Sequence, residues 1–140
     1  MLPRYVILII ALALFGAACS DSTTTTTASD STALVEFGSG SVPETMPAGF
    51  PVPDQGIVGS TLIDRDRGRT EMIVRVTADL SALTAFFETN LPGRGFTVDS
   101  SQQDGDGWKI EFSWDDGTGT IELTSVGQGI SQALITFTHG

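Results

Sequence analysis

Two side chains in this sequence are chemically singular: Cys19 is its sole cysteine and His139 its sole histidine. A cysteine thiolate is a nucleophile and a metal ligand, and a histidine titrates near neutrality. The two stand at opposite ends of the chain, and His139 is the penultimate residue. Chain ends fray, so a Ser-His-Asp or Cys-His couple would rest on a mobile tail. The sequence has no G-x-S-x-G, no Walker A loop and no dinucleotide fingerprint. Carboxylate pairs remain. Asp104 and Asp106, and then Asp115 and Asp116, flank the segment Trp108–Trp114. If that segment is a strand, the pairs lie about 20 Å apart, beyond the ~5–9.5 Å between the carboxyls of a glycosidase. Oxygen-rich turns can hold calcium, but the twelve-residue EF-hand loop is absent and Asp-Gly is ordinary turn chemistry. The same holds for Asp64 and Asp66. Trp108 and Trp114 would stack on sugar rings if exposed, yet they share a face with Ile110 and Phe112, which assigns them to a core. No catalytic residue, no metal ligand set and no cofactor site is expected, and the reading is that this is not an enzyme.

Cys19 gains its meaning from what precedes it. Arg4 is followed by the uncharged stretch Tyr5–Ala18, then Cys19, then Ser20, Asp21, Ser22 and five threonines. A charged start, a short apolar run and small residues make the layout of a secretory signal, and the run is shorter than the about 20 apolar residues that span a membrane. Gly16-Ala17-Ala18-Cys19 resembles the lipobox of bacterial lipoproteins. That resemblance implies a diacylglyceryl group on Cys19, cleavage just before it, and anchoring on the outer face of the cell membrane. The family usually carries leucine three residues before the cysteine, where this chain has Gly16. Gly16 and Ala18 also suit ordinary signal peptidase, which leaves the alternative of a secreted, non-lipidated domain with a free Cys19. Exported cysteines normally come in pairs, and a lone one favours lipidation. Two or more acyl chains make such an anchor durable, at about 0.8 kcal/mol per buried methylene.

Arg4 leaves with the leader, so 17 acidic residues face six basic ones. Nucleic-acid binding needs a basic cluster, and none is present. Anionic headgroups repel such a chain, so membrane contact is expected from the anchor alone. With no second cysteine there is no disulfide, and stability must come from packing.

The elements follow from the patterning. Residues 1–18 read as signal peptide and 19–41 as a lipid-anchored, Thr/Ser-rich flexible linker, with Leu34–Phe37 an apolar island that either docks or stays in the linker. Residues 42–140 read as one domain with a Pro-rich lead-in, whose Phe50 and Val52 are placed against the domain edge. Strands are predicted over Ile57–Ile63, Thr70–Thr77, Phe96–Ser101, Trp108–Trp114, Thr120–Val126 and Ser131–Thr138. Asp79–Leu91 is predicted as a helix, N-capped by Asp79, striped by Leu80, Leu83, Phe87 and Leu91, and stopped by Pro92-Gly93. The expected fold class is α+β: two layers, one helix packed on a mostly antiparallel sheet, in the order β-β-α-β-β-β-β. The expected core includes Val58, Leu62, Met72, Val74, Phe112, Trp108, Trp114, Ile135 and Phe137.

A strand pair, a helix ending in Leu91-Pro92-Gly93-Arg94-Gly95-Phe96 and a meander of strands resembles small uncharacterised lipoprotein domains of high-GC Gram-positive bacteria. The resemblance implies architecture and location, with no activity attached. The functional expectation is a membrane-anchored cell-envelope lipoprotein with a small non-catalytic domain in a binding or accessory role, touching an envelope protein or polymer. The alternative is a carrier or sensor of a small apolar ligand held between helix and sheet. Replacing Cys19 with Ser is expected to abolish metabolic labelling by a fatty-acid analogue; label that persists on the variant removes the anchor.

Overall fold

Alternating apolar residues become strands in the computed structural model, which describes Leu34–Gly140, but the strands are longer and one more numerous than the sequence suggests. In chain order they are β1 (Val35–Ser39), β2 (Ile57–Asp64), β3 (Arg69–Val76), helix α1 (Leu80–Asn90), a 3-10 turn (Pro92–Arg94), β4 (Thr97–Asp104), β5 (Gly107–Trp114), β6 (Gly117–Gly127) and β7 (Ile130–His139). All seven strands form one antiparallel sheet in the order β1-β2-β3-β7-β6-β5-β4.

This corrects the expected fold class. Strand accounts for 54% of the described residues and helix for 13%, so the fold is mainly β rather than a two-layer α+β arrangement in the order β-β-α-β-β-β-β. Two physical causes are visible. The apolar island pairs with β2 as a seventh strand, in the register Val35↔Asp64 to Ser39↔Ser60, within the stretch that sequence assigns to the linker. Ladder hydrogen bonding also carries β4 through Gln102 and Gln103, and β6 through Gly117 to Gly119, where side-chain alternation gives no strand signal. The described residues belong to one compact unit.

Helix α1 starts where Asp79 Oδ1 accepts a hydrogen bond from the Ala82 amide at 2.7 Å. It ends at Leu91, and Gly95 closes the following turn in the left-handed region (φ 87°). The helix lays Leu83 and Phe87 across β5, β6 and β7. Beneath them lie Ile110, Phe112, Ile121, Leu123, Ala133, Ile135 and Phe137, all inaccessible to water or nearly so.

The lead-in does not stay at the edge. Phe50 is buried at the centre of an aromatic cluster, its ring centroid 4.8 Å from that of Phe137, 5.4 Å from Phe96 and 5.5 Å from Phe112. Edge-on contacts of this kind add to what burial alone contributes. Pro43, Pro51 and Pro53 are buried around it, and Thr45 shares a 2.6 Å hydroxyl–hydroxyl bond with Thr70. Gly119 lies flat under this cluster, because a Cβ there would overlap the Phe112 ring and sit 2.7 Å from the Thr136 carbonyl.

A register shift between Val58 and Thr61 changes the phase of β2. Ile63 is buried in place of Leu62, which pairs with Phe37 on the opposite face. The expected core placement of Leu62 is therefore corrected, and Trp108 and Trp114 are only half-buried. Among the described residues every buried side-chain polar atom has a hydrogen-bond partner. Phe50→Ala is expected to cost about 3–5 kcal/mol in denaturant unfolding, as for any large ring removed from a filled core; a loss below about 1 kcal/mol would show the lead-in to be peripheral.

Candidate functional site

The sheet's second register shift builds the site. Between Val98 and Ser100 one extra residue enters β4, and the phase of the strand changes. Val98 lies opposite Phe112, while Ser101 lies opposite Ile110 and Gln103 opposite Trp108. Polar Ser101 and Gln103 thus come to the face that α1 covers. Helix residues above this corner are short: Ser81, Thr84 and Ala85. Short side chains above and polar ones below leave the layer unfilled. The result is a groove of about 460 Å³ between α1 and the β4–β5 hairpin, walled by Leu80, Thr84, Ala85 and Trp108 and rimmed by Glu88, Gln103 and Asp106.

A hydrogen-bond chain fixes the floor. The Trp108 indole Nε1–H donates to Ser101 Oγ at 2.7 Å, and Ser101 Oγ–H donates to Glu88 Oε1 at 2.6 Å. Strand, neighbouring strand and helix are held at one point, and the carboxylate is the terminal acceptor. The helix wall has its own ties: Ser81 Oγ donates to Asp79 Oδ1 at 2.8 Å and Thr84 Oγ1 to the Leu80 carbonyl at 2.8 Å.

The residues singled out by sequence chemistry sit elsewhere. Cys19 and the leader lie outside the described residues. Asp104 and Asp106 belong to the β4–β5 turn and Asp115 and Asp116 to the β5–β6 turn, at opposite ends of β5. Of these only Asp106 borders the groove. Asp64 is buried, accepts from the Arg67 amide at 3.2 Å and from Arg67 Nη1 at 2.9 Å, and is held below its ordinary pKa chiefly by the Arg67 guanidinium. It is a turn brace. Among the described residues no three His, Cys, Asp or Glu side chains converge as a metal would require.

His139 is not on a frayed tail, which corrects the sequence expectation. It ends β7, its amide bonds to the Gly68 carbonyl at 2.9 Å, and its ring stands edge-on to Trp114 at 5.6 Å. Nε2 lies 3.0 Å from the Thr45 carbonyl, a partner that accepts only, so the ring donates there and clamps the lead-in. The hollow beside it, about 380 Å³, has Arg94, Asp115 and Asp116 in its wall but neither serine nor cysteine.

No family model, no curated protein and no solved structure matches this chain. Its chemistry must be read from its own residues. The far side of the sheet is solvated: Lys109 Nζ meets Glu111 Oε1 at 2.8 Å, and Glu111 is held below its ordinary pKa by Lys109 first and by the Ser100 hydroxyl second. Sequence alternation could not reveal the groove, because the extra residue in β4 is invisible to it. The only available signal was the polar run Ser100–Gln103 facing a helix of small residues.

Asp79 gives the helix wall a testable pH dependence. Its pKa is lowered from 3.8, first by the Ala82 amide and then by the Ser81 hydroxyl. A carboxylate depressed on folding stabilises the fold fully above its unfolded value, and that contribution is lost as pH falls through the folded value. Asp79→Ala should therefore unfold at a lower temperature than the parent at neutral pH, with the difference closing only as the pH drops below 3.8. A difference that stays constant into acid would remove the ionised cap.

Proposed function

We propose that this chain is a cell-envelope lipoprotein, anchored through Cys19, whose folded domain is a non-catalytic binding module, and that the groove between α1 and the β4–β5 hairpin is its binding element. The groove is the observation that carries the reading. Small-ligand pockets run from about 300 to 1,000 Å³, and its volume of about 460 Å³ falls in that range. Its walls are mostly apolar, with a few polar groups already oriented by bonds within the protein. Pre-orientation lowers the cost of ordering side chains when a ligand enters.

The lipobox resemblance supports the anchor, and the acidic balance supports a domain that stands off anionic lipid. Ser101 donates to the Glu88 carboxylate, but its oxygen already accepts from the Trp108 indole and is not part of the groove lining, and among the described residues no histidine borders the groove. A binding role is therefore favoured over catalysis. Concavity favours a small ligand over a flat contact with an envelope protein or polymer.

A fragment library screened by NMR against the mature protein tests this. Ligands should move the Trp108 indole N–H and the Thr84 and Ala85 amides while leaving the Trp114 indole N–H in place, and Trp108→Leu should weaken every hit. Hits that cluster away from α1 and the β4–β5 hairpin, or a screen with none, would sink the groove as the functional element.

A further inference from the structure

The hydrogen-bond bookkeeping of the groove fixes the sign of what fits it. The hydroxyl proton of Ser81 goes to Asp79, that of Thr84 to the Leu80 carbonyl, and the indole proton of Trp108 to Ser101. Gln103 turns its Nε2 onto the Gly105 carbonyl at 3.2 Å, leaving Oε1 as an acceptor and one N–H as a donor. What the groove offers in return is acceptor capacity: the lone pairs of those two hydroxyls and the carboxylates of Glu88 and Asp106. Among the described residues no lysine or arginine borders it. An anion would meet two carboxylates and no cation, and a neutral acceptor would meet no uncommitted side-chain donor but the second N–H of Gln103. A ligand with N–H donors and a positive charge matches both the acceptors and the sign of the rim, and its apolar body is covered by Leu80, Ala85 and the indole carbons of Trp108.

We infer that the groove between α1 and the β4–β5 hairpin binds a small primary ammonium compound with an apolar body, the ammonium drawn to the rim that Glu88 and Asp106 make negative and the body lying along Trp108. This rests on the groove being the binding element, as proposed above. A primary ammonium brings three N–H donors and keeps its charge at neutral pH. Both carboxylates are exposed at the rim, so each ion pair is screened by salt and contributes no more than about fivefold in affinity.

The test uses the full chain in nonionic detergent, with detergent alone as blank, and three near-isosteric probes: phenethylammonium, 2-phenylethanol and phenylacetate. The Trp108 indole N–H reports binding and the Trp114 indole N–H serves as internal control. Phenethylammonium should shift the Trp108 signal saturably and bind about tenfold tighter than the alcohol, phenylacetate should leave it unmoved, and added salt should narrow the gap. In the double variant Glu88→Gln/Asp106→Asn the ammonium should fall to the level of the alcohol. The side-chain amide that replaces the Glu88 carboxylate keeps a carbonyl to accept from Ser101, so the Trp108 chain stays intact. If the alcohol binds as tightly as the ammonium, or phenylacetate binds, the inference about charge is overturned while the groove stands as a binding element. Silence from all three probes removes both. A lysine-bearing hexapeptide that binds more tightly than phenethylammonium would assign the ammonium to a protein partner and overturn the small-ligand claim.

Discussion

One short helix has to roof a wide sheet. Eleven residues at about 1.5 Å rise give α1 a length of roughly 16 Å, whereas seven strands at about 4.8 Å spacing spread over roughly 29 Å. The helix cannot cover that area, and the rest of the architecture answers to the shortfall. Over β3 and β7 the gap is closed by the proline-rich segment before β2, which drives Phe50 among Phe96, Phe112 and Phe137. Toward β4 and β5 the helix reaches over with short side chains only and leaves the layer part-filled. The groove is the part of the sheet that the helix overhangs without filling, so the core and the candidate site are two outcomes of one geometric limit.

The same limit explains the chemistry of the two ends of β5. Phe112 and Trp114 lie under continuous aromatic packing, with the His139 ring set edge-on against Trp114. Trp108, two turns of the pleat away from Phe112, meets instead a serine, a glutamate and the small side chains of the helix. Residues of one type and one face parity thus serve as filler at one end and as the wall of an open groove at the other. The polar chain from Trp108 through Ser101 to Glu88 stabilises the open end without filling it.

The sequence made the strands and the helix legible wherever alternation or a 3.6-residue stripe was clean, as in Trp108–Trp114 and Leu80–Leu91. It failed where an extra residue changed phase. Plain alternation over Ile57–Ile63 places Leu62 in the core, but the irregularity at Gly59 and Ser60 shifts the phase and Ile63 takes its place. Ser101 and Gln103 were ordinary polar residues until the shift at Asp99 turned them beneath the helix. Phe50 was visible as an apolar residue among prolines, but its depth was not, because proline patterns fix local extension and say nothing of where the segment is threaded. The balance between α+β and mainly β was lost on strand length: hydrogen-bonded ladders run on through polar residues that carry no periodic signal.

Strand β1 has a mechanical consequence. It is the first element of the sheet, an edge of five residues, and its entry is pinned by the Arg65 amide to the Leu34 carbonyl at 2.8 Å and by Arg65 to both Glu36 and Glu44. A pull arriving from upstream therefore loads this clasp before it reaches Phe50. The five rungs of β1 join it to β2 alone, and no residue of β1 belongs to the aromatic cluster, the helix or the groove wall. The strand is a sacrificial selvedge, the border that yields first to extension from its own side and spares the rest of the fabric.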